Sequence, residues 1–198
     1  MGLISNGTTI FDNGAMASGF AGNMVFISSQ TASNSASISF TTGIDSTYKE
    51  YQFYFIDINP ATDNTDFTFN MSTDGGSSYN VTKSSTVFRT IHNEADTSAG
   101  LGYETALDLA QSTAFQILAP ELGNGADESL TGSLTLFNPS STTYIKHFIG
   151  TINNYLTTNY TQNIFPTGYG NTTSAVNAVQ FKMASGNFDG TILMYGIN

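Results

Sequence analysis

The chain has 198 residues, enough for one domain of ordinary size, and is 39% hydrophobic and 13% aromatic, which excludes a disordered protein. Only 10% is charged, against ~25% in an average soluble domain, so Ser, Thr, Asn, Gln and Gly must carry its solubility. Five Lys and Arg against fifteen Asp and Glu (net charge −10) supply no cation cluster for nucleic-acid phosphates, and the lack of cysteine excludes disulfides, thiolate zinc sites and a Cys nucleophile.

Residues 1–23 are rich in Gly, Asn and small side chains, with isolated apolar anchors at Leu3, Ile4, Ile10, Phe11 and Phe20. This spacing reads as irregular surface chain or as an extended arm that orders on a neighbouring subunit. In the second case Leu3, Ile4, Ile10 and Phe11 are candidate subunit contacts. No cationic region leads into an apolar run, so a secretory signal is not expected, and Asn6 stands where the myristoylation pattern requires Ser or Thr. No run reaches bilayer-spanning length. Freedom from disulfides fits folding in a reducing cytoplasm.

Residues 24–198 read as one domain, because no linker divides them. A β-rich run at 24–29 and an alternating one at 36–41 flank a polar stretch, which predicts a hairpin. Residues 49–58 carry the strongest strand pattern. Tyr51, Phe53 and Phe55 share one face, and Tyr54, Ile56 and Ile58 the other. Apolar residues on both faces predict burial on both sides, by another layer or another subunit. Tyr51, Phe53 and Phe55 are therefore candidate contacts of a symmetric homo-oligomer, with a trimer as the expectation.

Phe67, Phe69 and Met71 alternate up to Asp74-Gly75-Gly76, a hairpin-type turn, after which a β pattern resumes at 81–91. Residues 104–110 suit a short helix or a weak strand equally. A strand at 114–118 stops at Pro120, and alternating residues at 130–136 pair with 144–152 across Asn138-Pro139-Ser140-Ser141. Residues 155–174 are polar with frequent Gly and Asn, and predict a long loop. Its Tyr155, Tyr160 and Tyr169 are candidates for stacking on sugar rings. Val179, Phe181 and Met183, a polar turn, and an apolar run at 191–197 predict a closing hairpin. Within it Gly196 marks a bulge or a close backbone approach. About ten strands at this spacing predict an all-β fold, a single jelly-roll-type antiparallel β-sandwich (24–198) behind an extended N-terminal arm (1–23).

Little of the chain points to catalysis. His92 lies near Glu94 and Asp96, and His147 within an alternating strand, but neither has the three or four ligands of a zinc site. There is no Gly-x-Ser-x-Gly elbow and no phosphate-binding glycine loop. Asp57, Asn59, Asp63, Asn64 and Asp66 gather the hard oxygens that calcium uses, without the EF-hand spacing, and Asx residues are common in turns for their own hydrogen bonds. No catalytic, cofactor-binding or metal-binding residues are assigned.

Four stretches carry a resemblance: Met1-Gly2-Leu3-Ile4-Ser5-Asn6-Gly7-Thr8-Thr9, Ser72-Thr73-Asp74-Gly75-Gly76-Ser77, Leu136-Phe137-Asn138-Pro139-Ser140-Ser141, and Gly190-Thr191-Ile192-Leu193-Met194-Tyr195-Gly196-Ile197. Together they resemble a family of tailed-bacteriophage virion structural proteins common in aquatic phages. The resemblance implies a β-sandwich on the particle exterior, folded in the host cytoplasm and held by other virion proteins. Expected roles are capsid decoration (cement) protein or short fibre module. The alternatives are a glycan-binding receptor module of a tail fibre and, in third place, a polysaccharide depolymerase. The resemblance transfers no functional residues, and neither nucleic acid nor membrane is an expected partner.

Overall fold

Strand β6 (Glu50–Pro60) shows how side-chain alternation becomes a two-layer molecule. Tyr51, Phe53 and Phe55 point inward and are fully buried, whereas Tyr54 and Ile56 point outward, Ile56 being 41% exposed. At Asp57 (φ 51°) the strand carries one extra residue against both neighbours, since Phe55 and Ile58 face Gly132 and Leu130. This bulge turns Ile58 to the inner face, away from the Tyr54 and Ile56 side that strict alternation gives it.

The structure is a computed structural model, which describes residues 3–12, 15–16 and 23–198. No helix occurs among them. The remaining strands are β1 (Leu3–Ser5), β2 (Thr8–Asp12), β3 (Ala15–Met16), β4 (Met24–Ser35), β5 (Ile38–Phe40), β7 (Thr65–Ser72), β8 (Lys83–Asn93) and β9 (Ala99–Tyr103). They continue with β10 (Gln116–Leu122), β11 (Leu130–Phe137), β12 (Lys146–Leu156), β13 (Tyr160–Gly170), β14 (Ala178–Met183) and β15 (Phe188–Ile197).

All pairings are antiparallel. One layer runs β4-β15-β6-β11-β12-β13-β8-β9, and the other β10-β7-β14-β5. The layers join where Leu122 of β10 pairs Leu156 of β12, and again where β4 runs through a two-residue corner into β5. The result is a nearly closed, barrel-like antiparallel sandwich. Between the layers, Phe181 of β14 meets Phe53 and Phe55 of β6, Phe67 and Phe69 of β7, and Phe40 of β5, with ring centroids 5.2–6.3 Å apart. A buried aromatic core of this kind supplies most of the stabilisation.

Several expectations are corrected here. The polar segment 29–35 is no turn but the second half of β4, paired along β15. β4 and β5 do not pair with each other, and neither do β14 and β15. Each pair divides between the layers, β15 inserting between β4 and β6 and β14 between β5 and β7. The Asp74-Gly75-Gly76 turn likewise separates β7 and β8 into different layers. Residues 155–156 and 160–170 are strand, finishing β12 and forming β13, with a three-residue turn at 157–159. Gly196 does mark a close approach, because a side chain there would collide with the Tyr48 ring.

The expected extended arm is a three-stranded meander over its described residues. Asn6 and Gly7, with φ of 47° and 80°, make the left-handed turn between β1 and β2, for which Asn-Gly is the preferred sequence. Ile4 is exposed. The side chains of Leu3, Ile10, Phe11 and Phe20 lie outside the described residues.

Candidate functional site

The candidate contacts Tyr51, Phe53 and Phe55 are buried between the chain's own layers, and the Tyr51 hydroxyl donates to the Asp45 carbonyl. They are not available to a second subunit, because the β7 and β14 layer already covers them. The open face of β6 is the other one, and it belongs to the outer surface of the eight-stranded layer.

Two aromatic ridges cross that surface. On the first, Tyr195 of β15 stands edge-on to Phe26 of β4 (5.6 Å) and to Tyr54 of β6 (5.7 Å). On the second, Phe165 of β13 stacks on its cross-strand partner Phe88 of β8 at 4.7 Å, and Phe88 pairs in turn with Tyr103 of β9. Apart from Ile149 on β12, the residues between them are small or amidic, among them Thr131 and Ser133 on β11, Thr151 and Asn153 on β12, and Asn163 on β13. Three strand spacings of ~4.8 Å separate β6 from β13, so the trough is ~14 Å across.

It holds a depression of about 640 Å³, lined by the apolar Met24, Tyr54, Ile56, Leu193 and Tyr195 and by the hydroxyl residues Thr131, Ser133 and Thr151. Among the described residues no charged side chain lines it. Phe26, Ile56, Phe88, Tyr103 and Ile149 all remain exposed on this face. An apolar rim around hydroxyl and amide groups can take up apolar side chains of a partner, or the flat faces of sugar rings.

The three tyrosines proposed for glycan stacking are not brought together. Tyr155 and Tyr169 share the outer face, but Tyr155 pairs Thr161 and Tyr169 lies eight residues further along β13, ~26 Å away. The Tyr155 hydroxyl donates to Glu94 (3.1 Å), and burial together with that carboxylate raises its pKa. Tyr169 stands edge-on to His147 beside a small hydroxyl-lined depression with Ser84, Thr86 and Thr167. Tyr160 points to the opposite face, next to Arg89 and Ile91.

The other polar candidates hold the fold. Asn59 Nδ2 donates to the carbonyls of Gly125 and Glu128, Asp63 accepts from the Asn124 amide, and Asp66 accepts from the Glu121 amide. These side chains therefore tie down one backbone segment, 121–128, Asn59 through its amide nitrogen and the two aspartates through their oxygens. No group of three or more His, Asp or Glu converges among the described residues. His92 meets only Asp96, at 3.1 Å on the exposed β8–β9 turn. Arg89, which sequence reasoning passed over, bridges Glu104 (2.8 Å), Glu121 (3.2 Å) and Gln162 (2.6 Å) behind the β10–β12 junction.

Two lysines are fully buried, and the register sets them on either side of Gly170: Lys146 on β12 and Lys83 on β8. Lys146 Nζ donates to three carbonyls, those of Ser141 (2.7 Å), Tyr144 (2.6 Å) and Thr172 (3.2 Å), tying two loops together. Burial pulls its pKa below the usual lysine value. Lys83 Nζ meets two acceptors, Asn70 Oδ1 (2.5 Å) and the Val81 carbonyl (2.8 Å), and burial lowers its pKa to about 7. Sequence gave no warning of either burial.

Compared with known protein families and with characterised proteins, the chain matches none.

Proposed function

We propose that the chain is a non-enzymatic bacteriophage virion structural protein on the particle exterior, a capsid decoration protein or a short fibre module. It is held by protein–protein contacts through the outer face of its eight-stranded layer. The observation that carries this reading is the pair of aromatic ridges. Phe26, Ile56 and Phe88 stand exposed on one face around an uncharged depression, while the opposite face of the same strands forms the core. Exposed apolar residues gathered on one face mark interaction surfaces. The family resemblance supplies the setting, and the low charge content suits a protein that packs among neighbours.

The test is rebinding to particles that lack the protein. Wild type is expected to bind saturably. Phe26→Ser combined with Phe88→Ser should weaken binding by about tenfold or more, as loss of two apolar anchors does at a packed contact. Ser39→Ala on the four-stranded layer should leave it unchanged. Undiminished rebinding of the double variant refutes this face as the contact.

One observation favours a second reading, a glycan-binding receptor module. The Tyr54 and Tyr195 rings stand beside Ser133, Thr151, Asn153 and Asn163, which offer hydroxyl and amide partners to a sugar. Saturable sugar binding, lost in Tyr54→Ala with folding intact, would establish it.

A further inference from the structure

We propose that Lys83 and Asn70 form an intramolecular amide, a covalent cross-link made after folding between the two layers of the sandwich. Lys83 opens β8 in the eight-stranded layer, and Asn70 lies on β7 in the other. Both side chains are completely buried, with Nζ 2.5 Å from Oδ1.

The hydrogen-bond inventory fits a neutral amine. An ammonium has three N–H donors and an amine two. Lys146 meets three acceptors, as an ammonium requires, while Lys83 meets two among the described residues. Its third valence is then a lone pair, and attack on the Asn70 amide carbon requires a rotation about Cε–Nζ that gives up the bond to Oδ1 and turns this pair toward that carbon. Met71 and Val81 close the space over Gly170, the cross-strand partner of Lys83, since a side chain there would strike both. Burial without a counter-ion favours the neutral form in the same direction.

Asn70 is held as the acceptor of that lone pair. Its Nδ2 donates to the carbonyls of Tyr79 (2.7 Å) and Thr113 (3.0 Å), which fixes the amide plane. The Met71 amide donates to Oδ1 at 2.8 Å, where negative charge develops when the carbon becomes tetrahedral. Nζ attacks Cγ, the Cγ–Nδ2 bond breaks, and a proton passes from the attacking nitrogen to the departing one. Ammonia leaves, with no oxidant or co-reactant. No carboxylate bonds to either group among the described residues, so that proton transfer is unassisted and proximity provides the acceleration. The link is accordingly expected to form slowly, as a single maturation event. It would fasten the layers at the end away from the Leu122–Leu156 pairing, where β12 and β13 reach Lys146 and Gly170.

The test is mass analysis of the purified full chain, kept folded at about pH 5 and about pH 9, either side of the pH of about 7 at which the depressed lysine loses its proton. Intact mass is expected to fall by one ammonia over time, faster at the higher pH. Trypsin cuts the unlinked chain after Lys83, releasing residues 50–83, whereas the linked lysine resists and the fragment runs from 50 to Arg89. Ammonia loss by succinimide formation, favoured at Asn-Gly, is distinguished because it leaves the Lys83 cut intact and no Asn-Gly lies within 50–89. Lys83→Met and Asn70→Ala should retain full mass, and if either fails to fold the wild-type peptide map decides alone. Full mass and complete cleavage after Lys83, after long incubation of folded protein at about pH 9, would overturn the proposal.

Discussion

Replacing Phe55 with alanine separates a core residue from a subunit contact. Phe55 is 1% exposed, and its ring meets Phe67 and Phe181 edge-to-face, each at 5.2 Å. Removing a fully buried phenylalanine costs about 3–5 kcal/mol. Two aromatic partners lost together place Phe55→Ala near the middle or top, about 4 kcal/mol. For a chain of this size that lowers Tm by about 8–16 °C. The assay is equilibrium unfolding in urea at two protein concentrations well apart. The midpoint should drop with m unchanged, and by the same amount at both concentrations, because a core contact obeys no mass action. A loss below about 1.5 kcal/mol would refute the packing argument, since it lies under the range for a buried phenylalanine. A loss that depends on concentration would return Phe55 to a subunit interface.

Lys146→Met should destabilise by about 3 kcal/mol, because three carbonyls at a buried site lose their donor while the methionine fills the same volume. An unchanged urea midpoint would show that other groups satisfy those carbonyls. Asp66→Asn tests electrostatics with a definite sign. Burial, then the charge of Glu121, raises the Asp66 pKa in the folded state. The folded chain thus holds the proton more tightly than the unfolded one, and stability falls as pH rises from the ordinary carboxylate value through the raised one. The asparagine keeps the acceptor for the Glu121 amide, so Tm should rise at about pH 7 and stay level at about pH 3, where the carboxyl is protonated. Equal shifts at both pH values would reject charge as the cause.

Individual strands were legible in the sequence wherever one face is apolar, as in β6, β7, β11 and β14. The β11–β12 hairpin was legible because Asn138-Pro139-Ser140-Ser141 marks the turn and its strands stay in one layer. The two-layer corners were not. The polar stretches at 29–35 and 184–190 read as hairpin turns, and whether the next strand pairs back or crosses to the other layer depends on remote partners. β13 escaped notice for a different reason. Its inward positions include Gln162 and Pro166, and its outward ones Thr161 and Thr167, so the usual contrast between faces is weak. The aromatic face was hidden most completely. Phe26, Phe88, Phe165 and Tyr195 come from four distant segments, and only the strand order makes them neighbours.

The insertion of β14 and β15 into opposite layers also bears on how the protein is made. β4 has β15 as its partner and β5 has β14, while β6 and β7 each present one flank to these strands. A nascent chain that has not yet released residues 178–197 from the ribosome therefore carries two strands without partners and two bare edges. Neither layer can close until those residues are free to pair, and closure then rests on long-range pairings, which are intrinsically slow. Until then the unpaired edges are open to other chains. Expression as prematurely terminated fragments should therefore yield aggregates, not partial domains.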